Sequence, residues 1–310
     1  VSGGDVGPVS NTVTLAETGT NRLPRTLLKV SHGVDGNPAA YVRDDILGLW
    51  LWFALGTKAV VGASDPYTHT ITPANTLPYF TLWRKIGDVV WEKFVDCKVV
   101  QLEYVSEAEQ ALTYTVTIVG TKALALSSAV YTTEVGSAPE AGTGETNSGA
   151  FAHGHGSGLL LVEGVAVTRM ERIALTIANG SSRQYGDSIF ADDVSEGAQS
   201  IVVATRERVV TPALYNRLHY GTATPASGTE PVSDVLELTG GGLDFMWRRQ
   251  TTPERSIRFQ TGSRVQVSGI GAFTPGTGDD PLRIEPSYTI LDPDSGAAFT
   301  GIVKNDVAAY

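Results

Sequence analysis

Tyr67 to Gly120, YTHTITPANTLPYFTLWRKIGDVVWEKFVDCKVVQLEYVSEAEQALTYTVTIVG, decides the fold. From Val99 onward apolar and polar residues alternate with a period of two, the period of a strand, whose successive side chains leave on opposite faces. Leu102 and Tyr104 share one face with Tyr114, Val116 and Ile118. Gln101, Glu103, Thr113, Thr115 and Thr117 fall on the other. One face is oily and one is wet, as in an antiparallel hairpin that packs on a core with a single side. Glu107, Glu109 and Gln110 occupy its tip.

Outward from this hairpin, 310 residues can bury a sizeable core, as two ordinary domains or one large β domain. The 34 Gly and 15 Pro among runs of Val, Ile, Thr and Tyr favour a mainly β fold, a β-sandwich or β-barrel with one short helix per half. The net charge of -10, from 33 acidic and 23 basic side chains, argues against tight non-specific binding to DNA. Such binding needs clustered Lys and Arg to displace counterions. Cys97 is the single cysteine, which excludes an intramolecular disulfide and a cysteine-based metal site, and it reads as a small hydrophobe. The longest apolar run, Ile46 to Leu55, is too short to cross a bilayer, and no signal peptide opens the sequence. A soluble protein without membrane partners is expected.

Residues 1–20 are polar, rich in Gly and Thr and without helical period, so 1–25 reads as an N-terminal arm, flexible or an edge strand. TLLKVSH, Thr26 to His32, is the expected first core element. Asp44 and Asp45 before an apolar run that stops at Gly56 predict a buried helix. A second helix is marked by Thr211 as N-cap, Pro212 at the first position, ALYNRLHY, and Gly221 as the stop. Val135 to Gly158 is Gly-rich and aperiodic, a linker or long mobile loop. The division is therefore a first β half at 26–134, a linker at 135–158, a second β half at 159–291 and a C-terminal tail at 292–310. KVVQLEYV at 98–105 parallels RIALTI at 172–177, so the halves read as diverged copies.

No chemistry-bearing constellation emerges from the spacing. His153 and His155 in AHGHGSG lack the third ligand and rigid frame of a metal centre. His69 has no suitably spaced Ser or Cys nucleophile and is expected to hydrogen-bond within the strand layer. GTGETNSG and TGGGLDF lack the GK[ST] ending of a phosphate loop. The pairs Asp192-Asp193 and Asp279-Asp280 read as solvated turns. No enzymatic activity, cofactor or metal is expected. Trp50, Trp52, Trp83, Trp91 and Trp247 are spread through strand and core segments, as core or interface anchors. Met246-Trp247-Arg248-Arg249 is a compact basic cluster, and Arg248 and Arg249 are expected to pair with acidic groups across or between rings of subunits, should the chain assemble.

Tyr67 to Ile71, Leu77-Pro78 and Phe80 to Trp83, leading into the hairpin, resemble the major tail tube proteins of long-tailed, siphovirus-type bacteriophages. Further landmarks keep the family's order over roughly residues 27–303, among them VAVTRMERIALTIANG, QYGDSIFADDVSEGAQ, IVVATRERV, DFMWRRQ, SIRFQTG and EPSYTIL. SGGDVGPVSN and the residues after Asp292 match nothing in it. The resemblance implies a structural virion protein, made in the host cytoplasm, whose homo-oligomeric rings stack with helical symmetry into a conduit for DNA ejection. It implies a trimeric pseudo-hexamer in preference to a hexamer, and contacts with tape measure, tube terminator and distal tail proteins. Gln101, Glu103, Thr113, Thr115 and Thr117 then face the lumen, past which viral DNA moves without tight binding. Glu107, Glu109, Arg248 and Arg249 then meet neighbouring subunits or rings. The alternation alone favours a hairpin with its wet face in bulk solvent, and only the resemblance raises the bore above that. The rival readings are a secreted or surface β-sandwich that binds a ligand, a related tail ring protein, and a β-rich hydrolase, which lacks a convergent nucleophile and base.

Overall fold

The computed structural model describes residues 5–15, 26–137, 149–155, 160–162, 165–167, 169–209, 212–222, 224, 237–238, 242–269, 282–293 and 295–308. Its first elements are β1 (Val6–Leu15), β2 (Thr26–Gly36), β3 (Ala39–Tyr41), α1 (Asp44–Leu55), β4 (Gly56–Val61), β5 (Tyr67–Pro73), β6 (Phe80–Ile86), β7 (Val90–Glu107), β8 (Thr113–Gly120) and β9 (Lys122–Ala125). After α2 (Ser128–Ser137) come β10 (Leu160–Val162), β11 (Val165–Val167), β12 (Met170–Ala178), β13 (Ser182–Gln184), β14 (Asp193–Ser195) and β15 (Ser200–Arg208). Then follow α3 (Pro212–Tyr220), β16 (Glu237–Leu238), β17 (Leu243–Thr251), β18 (Glu254–Thr261), β19 (Val265–Gly269), β20 (Arg283–Ile284), β21 (Ser287–Ile290) and β22 (Phe299–Asn305). The protein is mainly β, as its composition predicts.

Among the described residues a 13-stranded sheet runs β1-β2-β8-β7-β12-β15-β21-β19-β16, and a 7-stranded sheet runs β11-β10-β17-β18-β22-β5-β4. β7 is long because it serves two neighbourhoods. Its first part pairs with β6 and β9, its second with β8 and β12, and Asp96, in the left-handed region at φ 52°, sits at the changeover. The two sheets face each other across an aromatic core. Tyr104 of β7 meets Phe259 of β18 at 5.7 Å, and Phe259 in turn contacts Phe245, Trp247 and Phe299. Strands of the two predicted halves thus share both sheets, directly through β7 with β12 in one, and in the other through β22 of the predicted tail, which joins β5 to β18.

α1 spans the predicted helix and buries Leu47, Leu51, Ala54 and Leu55 against β7, β5 and β22. Gly56, at φ 106°, stops it with a conformation that costs a residue without Cβ little. Its first turn carries the expected acids, Asp44 and Asp45. Arg43 is the N-cap and makes no side-chain capping bond, while Asp44 is buried in the first turn and paired with Arg249 at 2.8 Å and Arg255 at 3.6 Å. The acid anchors the helix to β17 and β18 through charge. α3 lies where Pro212 and Gly221 place it, and Thr211 falls outside the described residues.

TLLKVSH is corrected from core to surface. Thr26 to Val30 are exposed, because β8 ends opposite Val34, Phe190 bridges β2 only at His32, and among the described residues β1 alone pairs with β2 beyond that point. Within the segment read as a linker, α2 extends to Ser137, and Phe151 and His153 are buried, with Ala150 bridging Arg43 and Ala152 bridging Ala111. Residues 138–148 and 156–159 lie outside the described residues, as do 1–4 and 16–25 of the arm. The arm's Val6–Leu15 is an edge strand. The tail supplies β22, seated between β18 and β5 with Phe299, Val303 and Asn305 fully buried.

Candidate functional site

Residues directly opposite each other in neighbouring strands share a face of the sheet. In the register of the 13-stranded sheet one row therefore reads Thr115, Glu103, Thr176, Val202, Thr289 and Gln266. Towards the β7–β8 turn the next row is Thr113, Val105, Ala174, Ala204 and Ser287. On the other side lie Thr117, Gln101, Ala178 and Ser200. The first row continues to Glu237 in β16, which pairs with Arg264 at 3.0 Å, so Glu103 and Glu237 are the charges in the three rows and neither is a cation. The residues between them point into the core, with Leu102, Tyr104, Val116, Ile118, Leu175 and Val203 buried.

The five predicted wet-face residues thus lie together, and β12, β15, β21 and β19 extend their surface. Sequence reasoning did not place Thr176, Val202, Thr289 and Gln266 there. The signal was present as alternation in RIALTI and IVVATRER, but the adjacency of β7 and β12 is a long-range fact that alternation does not carry.

Charge returns at the turn end. The next row is Glu107, Arg172 and Arg206, with Arg206 on Glu107 at 2.9 Å. Glu171 gathers Arg206 at 3.6 Å, Arg208 at 3.1 Å and Arg283 at 2.8 Å. Burial pushes the Glu171 carboxyl up, but hydrogen bonds from Arg283 and Arg208 outweigh it and hold the group below its usual range. Glu109 is exposed in the turn at φ 64°. Arg248 and Arg249 find acids inside the chain, Arg248 on Glu254 at 3.5 Å and Arg249 on Asp44 at 2.8 Å.

The histidines are structural in placement. His69 is buried with Nε2 on Asn305 Oδ1 at 3.1 Å and Val307 O at 2.8 Å, and burial is the main force lowering its pKa. His153 bridges Ser106 Oγ at 2.8 Å and the Met170 carbonyl at 3.0 Å. On the core side of β15, by contrast, Glu207 is buried and its carboxyl is pushed up to about 7 by burial. Glu207 Oε1, Thr205 Oγ1 and the Tyr288 hydroxyl cluster there without a hydrogen bond of ordinary geometry, and Thr205 lies close enough to both to weigh slightly against the rise in their pKa.

Among the described residues both sheets end in strands with one unpaired edge, β1 and β16 in one and β4 and β11 in the other. Free edges present unpaired N–H and C=O groups and are templates for further pairing. No helix among the described residues is long and apolar enough to cross a membrane. A family model described as phage tail tube protein matches residues 3–245 of this chain. No curated protein matches it.

Proposed function

The chain belongs to the phage tail tube protein family, and from that premise we propose that its copies close into rings that stack around a channel for DNA. As a member it is a structural, non-enzymatic virion component that assembles with itself and associates with other tail proteins. In the proposed ring the face bearing Thr115, Glu103, Thr176, Val202, Thr289 and Gln266 is turned inward.

The observation that carries this reading is the near-absence of charge over three rows and strands from both halves of the chain. Duplex DNA carries one negative charge per roughly 1.7 Å, and a cationic wall would hold it by releasing its counterions. Hydroxyls, amides, small aliphatics and two carboxylates, Glu103 and Glu237, offer no such grip, so DNA slides. Ring closure follows from completing the free sheet edges between copies. Three copies are proposed per ring, because strands of the two halves already meet edge to edge at β7 and β12, as neighbouring subunits would. Glu107, Glu109, Arg248 and Arg249 are proposed to contact neighbouring subunits, Glu109 from its exposed turn and the others beyond their in-chain ion pairs. Tape measure, tube terminator and distal tail proteins are the partners proposed for the bore and the two tube ends.

Electron microscopy of the purified protein tests the reading. Uniform hollow tubes with three chains per ring are expected, and persistent monomers would sink it. Virions carrying Glu103→Lys should eject their genome more slowly, and unchanged ejection kinetics would remove Glu103 from the lining.

A further inference from the structure

The end of β15 nearest the β7–β8 turn carries charge on its outer face and buries an acid on its inner one. Glu207 is 3% exposed, Thr205 beside it in the strand 4%, and Tyr288 of β21 0%. Glu207 Oε1, Thr205 Oγ1 and the Tyr288 hydroxyl gather there without a hydrogen bond of ordinary geometry. A carboxylate that ionises in such a place gives up its hydration and gains no donor in return, which is costly. Burial pushes the Glu207 carboxyl up to about 7, and burial, with the Glu207 charge beside it, pushes the Tyr288 hydroxyl up as well.

The strands that flank Glu207 are weakly built. On one side β12 bulges: Arg172 pairs with Arg206 and Met170 with Glu207, so Glu171 is the extra residue. On the other side β20 is two residues long, with Ile284 opposite Glu207 and Arg283 opposite Arg208, and Pro286 interrupts the ladder before β21 begins. The Thr205 N–H donates to the Pro286 carbonyl at 3.0 Å and the Val209 N–H to the Leu282 carbonyl at 2.8 Å. The rest of the hold is ionic. Glu171 takes Arg283 at 2.8 Å and Arg208 at 3.1 Å, and so ties β20 to β12 across the end of β15. Short strands with few backbone bonds belong to the parts of a fold that open locally. On the core side Tyr288 is the titratable neighbour from β21, while β12 and β20 set the uncharged Met170 and Ile284 opposite Glu207. His153 reaches the Met170 carbonyl at 3.0 Å. Arg206, Arg208, Glu171, Arg283 and Glu285 lie outside the core.

We propose that Glu207 is a proton-operated latch on this end of the sheet. Protonated, it stays in the core and β20 closes over it. Ionised, it reaches water by lifting β20 from β15, and Arg283 leaves Glu171 with that strand. The carboxyl of the open form titrates near the ordinary 4.5 and that of the closed form at about 7, so between these values the closed form keeps a proton that the open form has lost. Closure is therefore full below about pH 4.5 and weakens as pH rises to about 7. A neighbour that holds this end closed must take up the same proton, so its grip weakens over the same range. The latch itself belongs to the single chain, whatever its copies build.

Amide hydrogen exchange of the full chain tests it, read by mass spectrometry at pH 5 and pH 8 and corrected for the pH dependence of exchange itself. Protection of residues 205–209 and 282–288 should fall on the order of a hundredfold from the lower to the higher pH, while β5 and β22 keep theirs. Glu207→Gln, which has the same shape and cannot ionise, should leave those residues equally protected at both. Glu171→Gln, which removes the ionic tie, should lower their protection at both and preserve the fold-change. Protection independent of pH in the parent overturns the latch, as does a Glu171→Gln chain as well protected as the parent. A pH-dependent loss that survives in Glu207→Gln would assign the titration to His153, and an equal loss in β5 and β22 would make it global unfolding; either result overturns the latch too.

Discussion

The β7–β8 and β12–β15 hairpins lie side by side in one sheet and alternate in the same way, yet they finish their buried faces differently. At the turn end of the first, Ser106 is satisfied by His153, which also reaches the Met170 carbonyl. At the same end of the second, Thr205, Glu207 and Tyr288 bring three polar atoms into the core without hydrogen bonds of ordinary geometry. Their outer faces differ as well, Glu103 and three threonines against Ala174, Thr176, Val202 and Ala204. The comparison shows that what the two hairpins share is the absence of cations from the middle rows, and acidity is confined to one of them. It also shows that the second hairpin stores a pH dependence that the first does not.

The comparison breaks first at the core. Leu102→Ala and Leu175→Ala should each cost about 3 kcal/mol. Both should shift a single urea transition, because both side chains belong to one core. Two separate transitions would make the hairpins independent units.

Glu207→Gln sharpens the contrast at the buried ends. Burial raises the folded carboxyl from 4.5 to about 7, so between those values the native state keeps a proton that the unfolded chain has released. Stability is therefore full below about pH 4.5 and is lost as pH rises through the window to about 7. The shift corresponds to about 3 kcal/mol as an order of magnitude. The glutamine variant should be more stable than the parent at pH 8 by up to that amount, and the gain should vanish near pH 4.5, as read by denaturant unfolding at both pH values. A gain equal at both would disconnect Glu207 from the effect.

Ser106→Ala, in the satisfied cluster, should cost about 1 kcal/mol in the same assay, the worth of one buried hydrogen bond. The smallest stability effect belongs to the outer face. Thr176→Lys should change unfolding by no more than about 0.5 kcal/mol, as exposed substitutions do. It should nevertheless slow DNA ejection as Glu103→Lys does, and ejection at the parent rate would confine the lining to the first hairpin.

The alternation of residues 99–120 was legible because both faces of that hairpin obey a local rule. α1 was legible from its apolar run and Gly56. The neighbours of each strand were not, since pairing partners 70 residues apart, such as Glu103 and Thr176, are chosen by the whole fold. The same limit explains TLLKVSH. Its apolar content is that of a core strand, and exposure arises only because β8 stops short of it. β22 escaped notice for a different reason, for its inward positions Phe299, Gly301, Val303 and Asn305 include a glycine and an amide that blur the alternation. The partner of Arg249 was hidden because Asp44 lies about 200 residues away and only the fold brings it near, whereas Arg248 meets Glu254 across the β17–β18 turn.

The seat of β22 has a consequence for biosynthesis. It fills the gap between β18 and β5, so the second layer stays open until residue 305 has been translated, long after residue 73. At roughly 5–20 residues per second the wait is on the order of tens of seconds. A nascent chain on the ribosome thus holds an unfinished layer, and a subunit built to polymerise on contact acquires its rigid body only once that strand has emerged.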